Sequence, residues 1–173
     1  HRPGREVDDN KDLEKAYVRD YIDGDKARWE HDNLIDVYRK NGVDVYYVEE
    51  TDEECPNAMF CHDLVLGTPE GVIITRPGIE VRSKEVKYVA QTVSSIGVPI
   101  VRTINGSGIF DGACATWVDK ETVFVGTGTR CNQEGLRQVS ETFRTMGVKN
   151  IIELSIASQD QSLKEKLEKK ILL

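Results

Sequence analysis

No run of apolar residues in this 173-residue chain approaches the roughly 20 that a membrane-crossing helix needs, so a transmembrane span is not expected. The opening His1-Arg2-Pro3-Gly4-Arg5 lacks the apolar stretch of a secretory signal, which makes a cytoplasmic location the expectation. Positive charge is also short: the net charge is −7, and general nucleic-acid binding calls for a basic face. An acidic balance instead suits a cationic small molecule. Cysteine is limited to Cys55, Cys61, Cys114 and Cys131 with no CxxC spacing, which excludes a disulfide framework in a chain of this size. Cys55, Cys61 and His62 match no structural zinc pattern, so neither a metal nor a cofactor is expected. The segment Asn105-Gly106-Ser107-Gly108 has glycines but neither GxGxxG nor GxxxxGK. It reads as a sharp turn delivering Phe110-Asp111 rather than as a phosphate cradle.

Enough apolar residues remain, 39% against 31% charged, to bury the core of one domain over 1–173. Three segments end a helical pattern with glycine and valine and then turn extended. They are Asn41-Gly42-Val43 before Val45-Tyr46-Tyr47-Val48, Gly97-Val98 before Ile100-Val101, and Gly147-Val148 before Ile151-Ile152. Their period near fifty residues predicts an α/β tandem whose units bury their faces on one another. Hairpins are predicted where Ala58–Leu66 turns at Gly67-Thr68-Pro69-Glu70-Gly71 into Val72–Ile74, and where Ala113–Val118 turns at Asp119-Lys120 into Thr122–Val125.

Against these hairpins one spacing occurs twice. Asp63 and Arg82 stand nineteen positions apart, as do Asp111 and Arg130, with each acid before a hairpin and each arginine before a helix. An ordinary α/β sheet explains the Gly-Val endings but not the doubled acid and arginine. The doubling predicts one pocket built from two units, negative at one end for a cation and positive at the other for a carboxylate. The remaining features read as structural. His31 falls on the helical stripe Ala27, His31, Leu34, Ile35, Tyr38, and Leu163, Leu167 and Ile171 mark an amphipathic terminal helix with Glu165 and Lys169 paired at i,i+4.

These residues carry a family resemblance. Pro56-Asn57-Ala58-Met59-Phe60-Cys61-His62-Asp63 resembles the Pro-Asn-x-x-Phe-x-Arg-Asp segment of the guanidino-group modifying enzymes, which comprise arginine deiminases, dimethylarginine dimethylaminohydrolases and amidinotransferases. Phe110-Asp111-Gly112-Ala113-Cys114 is similar to their acidic-Gly-Gly-Asp segment, and Val125–Gly135 to the Val-Gly-x-x-x-Arg-Thr-Asn-x-Glu-Gly that follows. The opening His1–Glu6 matches as well, so the resemblance runs to about Ser155.

The resemblance implies a pentein-type α/β propeller of five ββαβ-like units, of which about three are expected in this chain. It implies that Asp63 and Asp111 grip a guanidinium as the catalytic acids, and that Asn57, Phe60, Arg82 and Arg130 bind the rest of an arginine-like substrate. Opposed carboxylates suit a planar cation with several N–H donors, and arginine forks onto a carboxylate. The implied reaction is hydrolysis or amidino transfer through a covalent cysteine adduct, with a His-x-Asp base. The chain departs from that pattern: no histidine follows His62, the last cysteine is Cys131, and His62 and Cys114 replace an arginine and an acid. The expectation is the first units of such an enzyme without its nucleophile, or alternatively a non-catalytic module that binds an arginine-like molecule. Homo-oligomerisation stays open. A purely structural subunit with an acidic face would leave the doubled pairs without a role.

Overall fold

The computed structural model describes residues 1–8, 13, 18–48 and 55–155. The expected terminal helix around Leu163–Ile171 lies outside them. A short helix α1 (Arg5–Asp8) precedes α2 (Gly24–Lys40), whose first turn is capped by the Asp23 side chain accepting from the Lys26 N–H. Of the apolar stripe on α2 only Ile35 is buried, while Leu34 and Tyr38 stay exposed. His31 packs its ring against Tyr47 at 5.9 Å between centroids.

Two units then follow with the same order. Strands β1 (Val65–Thr68) and β2 (Gly71–Ile74) form an antiparallel hairpin. After α3 (Glu80–Ser83) and α4 (Val86–Ser95), β3 (Ile100–Thr103) returns parallel to β2. In the second unit β4 (Ala115–Asp119) and β5 (Thr122–Thr127) form the hairpin, and α5 (Gln133–Thr145) leads to β6 (Asn150–Ser155), parallel to β5. Each unit is thus ββαβ, giving a mixed α/β architecture that among the described residues has two three-stranded sheets, ordered β1-β2-β3 and β4-β5-β6.

The glycine signal has a single physical cause. In α2, α4 and α5 alike, the glycine past the last turn takes a positive φ, and the next valine donates its N–H back five residues: Val43 to Tyr38, Val98 to Val93, Val148 to Phe143. This double closure satisfies helix-end carbonyls that would otherwise be unpaired, and the left-handed residue it requires favours glycine.

Two expectations are corrected. Val45–Val48 follows its Gly-Val ending but forms no strand, because among the described residues no hairpin precedes α2 to offer an edge. Complete ββαβ units therefore number two rather than three among the described residues. The expected strand across Ala58–Leu66 starts only at Val65. Before it the backbone closes successive turns, Ala58 N–H to Cys55 O, Phe60 to Asn57 and Leu64 to Cys61, which leaves Asn57, Phe60 and Asp63 on a compact loop.

One core joins the units. Leu66 and Ile73 of the first hairpin, Ile104 and Phe110 of the connection, Val123 and Val125 of β5, and Val139 and Phe143 of α5 form one buried cluster. Trp117 packs edge-on to Phe143 and donates its indole N–H to Gly67 O at 2.9 Å, tying β4 to the first hairpin. Helix α5 places Leu136, Val139 and Phe143 on its inner face at i, i+3 and i+7.

Candidate functional site

The two units meet at the loops that precede their hairpins, and the doubled pairs lie there. Asp63 ends a 3₁₀ turn, Cys61–Asp63, immediately before β1. Its backbone is fixed from the residue that follows β2: the Thr75 hydroxyl donates to Asp63 O at 2.7 Å, and Thr75 N–H to Leu64 O at 3.1 Å.

Arg82 was expected just before a helix and instead lies inside α3, with a side chain only 5% exposed. Its guanidinium is fully engaged by the protein. One Nη donates to Asp63 Oδ2, Nε to Glu85 Oε2 at 2.9 Å, and the other Nη to Phe60 O at 2.9 Å and Asn57 O at 3.4 Å. A buried arginine with these partners staples the loop carrying Asn57, Phe60 and Asp63 onto α3. Glu85 is nearly inaccessible, and burial pushes its carboxyl above the usual range despite the cation beside it.

Asp111 comes from the second unit. Phe110 pairs with Arg76 in both directions, at 3.0 and 3.1 Å, and the Asp111 N–H donates to Arg130 O at 3.0 Å. Gly112 next to it runs against the first unit so tightly that a Cβ there would lie under 3.0 Å from the carbonyl oxygens of both His62 and Val65. The Asn132 side chain holds the other flank: it accepts from Gly135 N at 2.8 Å as the cap of α5 and from Ile109 N at 3.0 Å, and donates to Ser107 O at 2.8 Å. The glycine-rich turn is further clamped by Gln138, which donates to Asn105 O and accepts from Asn105 N.

Asp111 is 2% exposed, and its Oδ1 is buried without a hydrogen-bond partner among the described residues. Burial raises its carboxyl above the usual range; Arg130 opposes the shift and the charge of Asp63 adds to it. Arg130 stands between the two acids, its Nη1 3.4 Å from Asp111 Oδ2 and 3.9 Å from Asp63 Oδ2. The site expected from the sequence thus converges in space, but its charge is arranged differently. Acids and arginines were expected at opposite ends; each arginine is instead paired with its acid, because a desolvated carboxylate without a partner is costly. Asn57 is buried in the loop, and Phe60 is 46% exposed.

None of the cysteines is set up as a nucleophile. Burial, with Glu85 adding to it, pushes the Cys61 thiol up to about 11, and burial, with Cys114 adding to it, pushes Cys131 up to about 12. The Cys114 thiol is also raised by burial, and Cys55 is fully enclosed. The Arg130 neighbour and the helix start do not offset the burial of Cys131. A cavity of about 530 Å³ opens beside the site, lined among others by Cys114, Phe124, Thr129, Arg130 and Leu154. Among the described residues no cluster of three or more His, Cys, Asp or Glu side chains is placed to hold a metal ion, and no helix is long and apolar enough to cross a membrane.

Sequence reasoning missed Glu85 and Gly112. The first was available as an Arg82-x-x-Glu85 spacing on one helical face; the second had no local signal, since its role is a close approach to a distant loop.

The sequence profile of the family described as "N,N dimethylarginine dimethylhydrolase, eukaryotic" matches residues 6–166. The N(G),N(G)-dimethylarginine dimethylaminohydrolase of Streptomyces coelicolor is 28% identical over 131 residues, 76% of this chain and 50% of the relative. The solved structure of the Pseudomonas aeruginosa enzyme, a C-to-S mutant complexed with citrulline, superposes with a TM-score of 0.74 at 27% identity, the match covering 90% of this chain and 60% of that one. The N-terminal domain of ArgZ, a cyanobacterial arginine dihydrolase, shares the fold at a TM-score of 0.66 and 17% identity, covering 79% of this chain and 48% of that one. The chain spans about half the length of the curated relatives it matches.

Proposed function

This chain belongs to the eukaryotic N,N dimethylarginine dimethylhydrolase family, within the guanidino-group modifying superfamily, and from that premise we propose that it supplies the guanidinium-binding part of a hydrolase acting on arginine or an N-methylated arginine derivative. The observation that carries the reading is the convergence of Asp63 and Asp111, from two separate units, on one cation-sized gap that a guanidinium of the chain itself already occupies. Two carboxylates facing a planar cation accept its N–H donors and favour its charge over a neutral urea group. Phe60, exposed beside Asp63, covers the ligand's apolar stem, and Asn57 shapes the loop. Arg130 reads the carboxylate of the ligand. Arg82, held by four protein acceptors, acts by positioning Asp63.

The reaction of such a hydrolase proceeds by thiolate attack on the guanidinium carbon, departure of the amine, and hydrolysis of the adduct by water. Asp63 and Asp111 hold the reacting group in line and stabilise its positive charge, while the raised thiols of Cys61, Cys114 and Cys131 keep these cysteines out of the attacking role. Hydrolysis is favoured over amidino transfer because the matched profile and the Streptomyces coelicolor and Pseudomonas aeruginosa relatives carry hydrolase names. The two ββαβ units are read as consecutive blades of a five-unit propeller, with the site on its channel side.

The burial that raises the thiols of Cys61, Cys114 and Cys131 also favours a second reading for the 173-residue chain taken alone, a module that binds an arginine-like molecule without turning it over. One experiment tests binding and turnover together. Thermal shift with arginine, dimethylarginine and citrulline should raise the melting temperature most for the two guanidinium ligands, since a ligand that binds only the folded state stabilises it. An equal shift for an uncharged urea such as citrulline would refute the carboxylate clamp, and citrulline accumulating from arginine would refute the binding-only reading.

A further inference from the structure

Arg82, inside α3, and Arg130, in the turn before α5, each follow their acid by nineteen residues but are held in opposite ways. Arg82 is 5% exposed and spends its donors on Asp63, Glu85 and two backbone carbonyls. Arg130 is 56% exposed, and among the described residues its recorded side-chain partners are Asp111 Oδ2 at 3.4 Å and Asp63 Oδ2 at 3.9 Å. Both distances exceed the roughly 2.7–2.9 Å of a well-made charge-assisted hydrogen bond. Asp111 keeps a second oxygen buried and, among the described residues, unpartnered, an acceptor that Arg130 leaves unfilled.

The backbone of Arg130 is nevertheless fixed. Its carbonyl accepts the Asp111 N–H at 3.0 Å, and Gly128 N–H donates to Cys131 O at 2.9 Å across the same turn. Only the side chain is loosely held, and it borders the cavity of about 530 Å³. A change of rotamer therefore suffices to withdraw the guanidinium from the acids.

We infer that Arg130 is an internal occupant of the guanidinium site, exchanged for the ligand's guanidinium and then free to pair with the ligand's carboxylate, so that it selects ligands bearing both groups. The inference rests on the reading that Asp63 and Asp111 receive a guanidinium. Its physical basis is a cation-for-cation exchange. A ligand with a guanidinium alone must expel Arg130 into solvent, and its apparent affinity is reduced by the fraction of molecules in which Arg130 is withdrawn. A ligand with a carboxylate gives the expelled fork a bidentate partner, which offsets the pair that was broken. The two halves of the ligand are thus coupled through one side chain.

Calorimetry on the 173-residue protein and its Arg130→Gln variant, titrated with arginine and with agmatine, its decarboxylated counterpart, tests the exchange. Wild type should favour arginine by about tenfold or more. In the variant arginine should weaken by about tenfold while agmatine tightens at least about twofold, because the competing occupant is gone. Agmatine unchanged or weakened in Arg130→Gln overturns the inference. A second arm needs only wild type: methylguanidine should bind several-fold more tightly in propionate than in chloride at equal ionic strength, and no difference overturns the coupling. If arginine, agmatine and methylguanidine all fail to bind wild type, the guanidinium-site reading falls and the exchange with it. If arginine binding depends on Asp63 and Asp111 but agmatine does not gain in the variant, only the exchange falls.

Discussion

Gly112 lies against the His62 carbonyl with no room for a side chain: a Cβ would come under 3.0 Å of that oxygen and 2.6 Å from Val65 O. Both obstacles are backbone atoms that cannot rotate away. This close approach brings Asp111 of one unit near enough to Asp63 of the other for both to reach Arg130. Gly112→Ala should lower stability by about 1–3 kcal/mol, the usual cost of overpacking a tight interior. It should also weaken guanidinium binding, because the acids move apart. Urea denaturation with unchanged midpoint would refute the constraint.

The two acids should separate in their effects on stability. Asp63→Asn removes one of the two carboxylates paired with buried Arg82 and leaves Glu85 as the other, so it should cost up to about 3–5 kcal/mol, the range for breaking a buried pair. Asp111→Asn replaces a carboxylate that burial already disfavours, and its remaining partner Arg130 is exposed, so stability should hold or rise. Both should weaken binding of arginine-like ligands by about 1.5–3 kcal/mol, the range for hydrogen bonds to charged groups. Denaturant midpoints beside calorimetric affinities decide it, and equal destabilisation by the two variants would contradict the distinction.

Arg82→Lys keeps the charge but cannot bridge Asp63, Glu85 and the Phe60 carbonyl together. The expected result is a marked loss of stability with little change in which ligand is preferred. Arg130→Lys should do the reverse, leaving the fold intact and reducing the preference for carboxylate-bearing ligands. Measuring each variant with arginine and agmatine checks the assignment of one arginine to structure and the other to selection.

The raised Asp111 carboxyl sets opposite pH trends for ligand affinity and stability. Between the ordinary carboxylate range and the raised native value, the folded protein holds a proton that the unfolded chain has lost, so stability falls as pH rises through that window. Affinity for a guanidinium rises through the same window as Asp111 ionises. Glu85, raised by burial as well, adds to the stability slope but not to the affinity slope, since its carboxylate faces Arg82. Titrations of affinity from pH 4 upward should therefore flatten in Asp111→Asn, while the stability slope survives in part.

Thiols raised to about 11 and about 12 leave on the order of 10⁻⁴ or less as thiolate near neutrality, and the thiolate is the attacking species. Exposure to a haloacetamidine should give no stoichiometric adduct at Cys61 or Cys131. Peptide mass spectrometry locating a full-occupancy adduct on Cys131 would make it a nucleophile and overturn the reading of these cysteines as structural.

Much of the candidate site's geometry could be read from spacing. The doubled nineteen-residue interval placed Asp63, Arg82, Asp111 and Arg130 in matching context, and all four meet in the structure. The Gly-Val endings foretold three helix closures because that closure is local: one left-handed residue and a hydrogen bond spanning five positions. The hairpins were legible for the same reason, with turn residues set between short apolar runs.

What the sequence could not settle depends on partners far along the chain. Val45–Val48 carries a strand pattern, yet a strand exists only where another offers an edge, and none does among the described residues. The direction in which each arginine points was equally hidden. Arg82 turned inward because Glu85 and the Asn57–Asp63 loop enclose it, and Arg130 stayed exposed because its turn borders the open cavity. Sequence alone determined the local elements and the chemical kinds brought to the site, since these rest on neighbours within a few residues. Only tertiary structure decided which charges are neutralised within the protein and which remain exchangeable, because burial, which makes an unpaired charge costly, is created when the two units pack together.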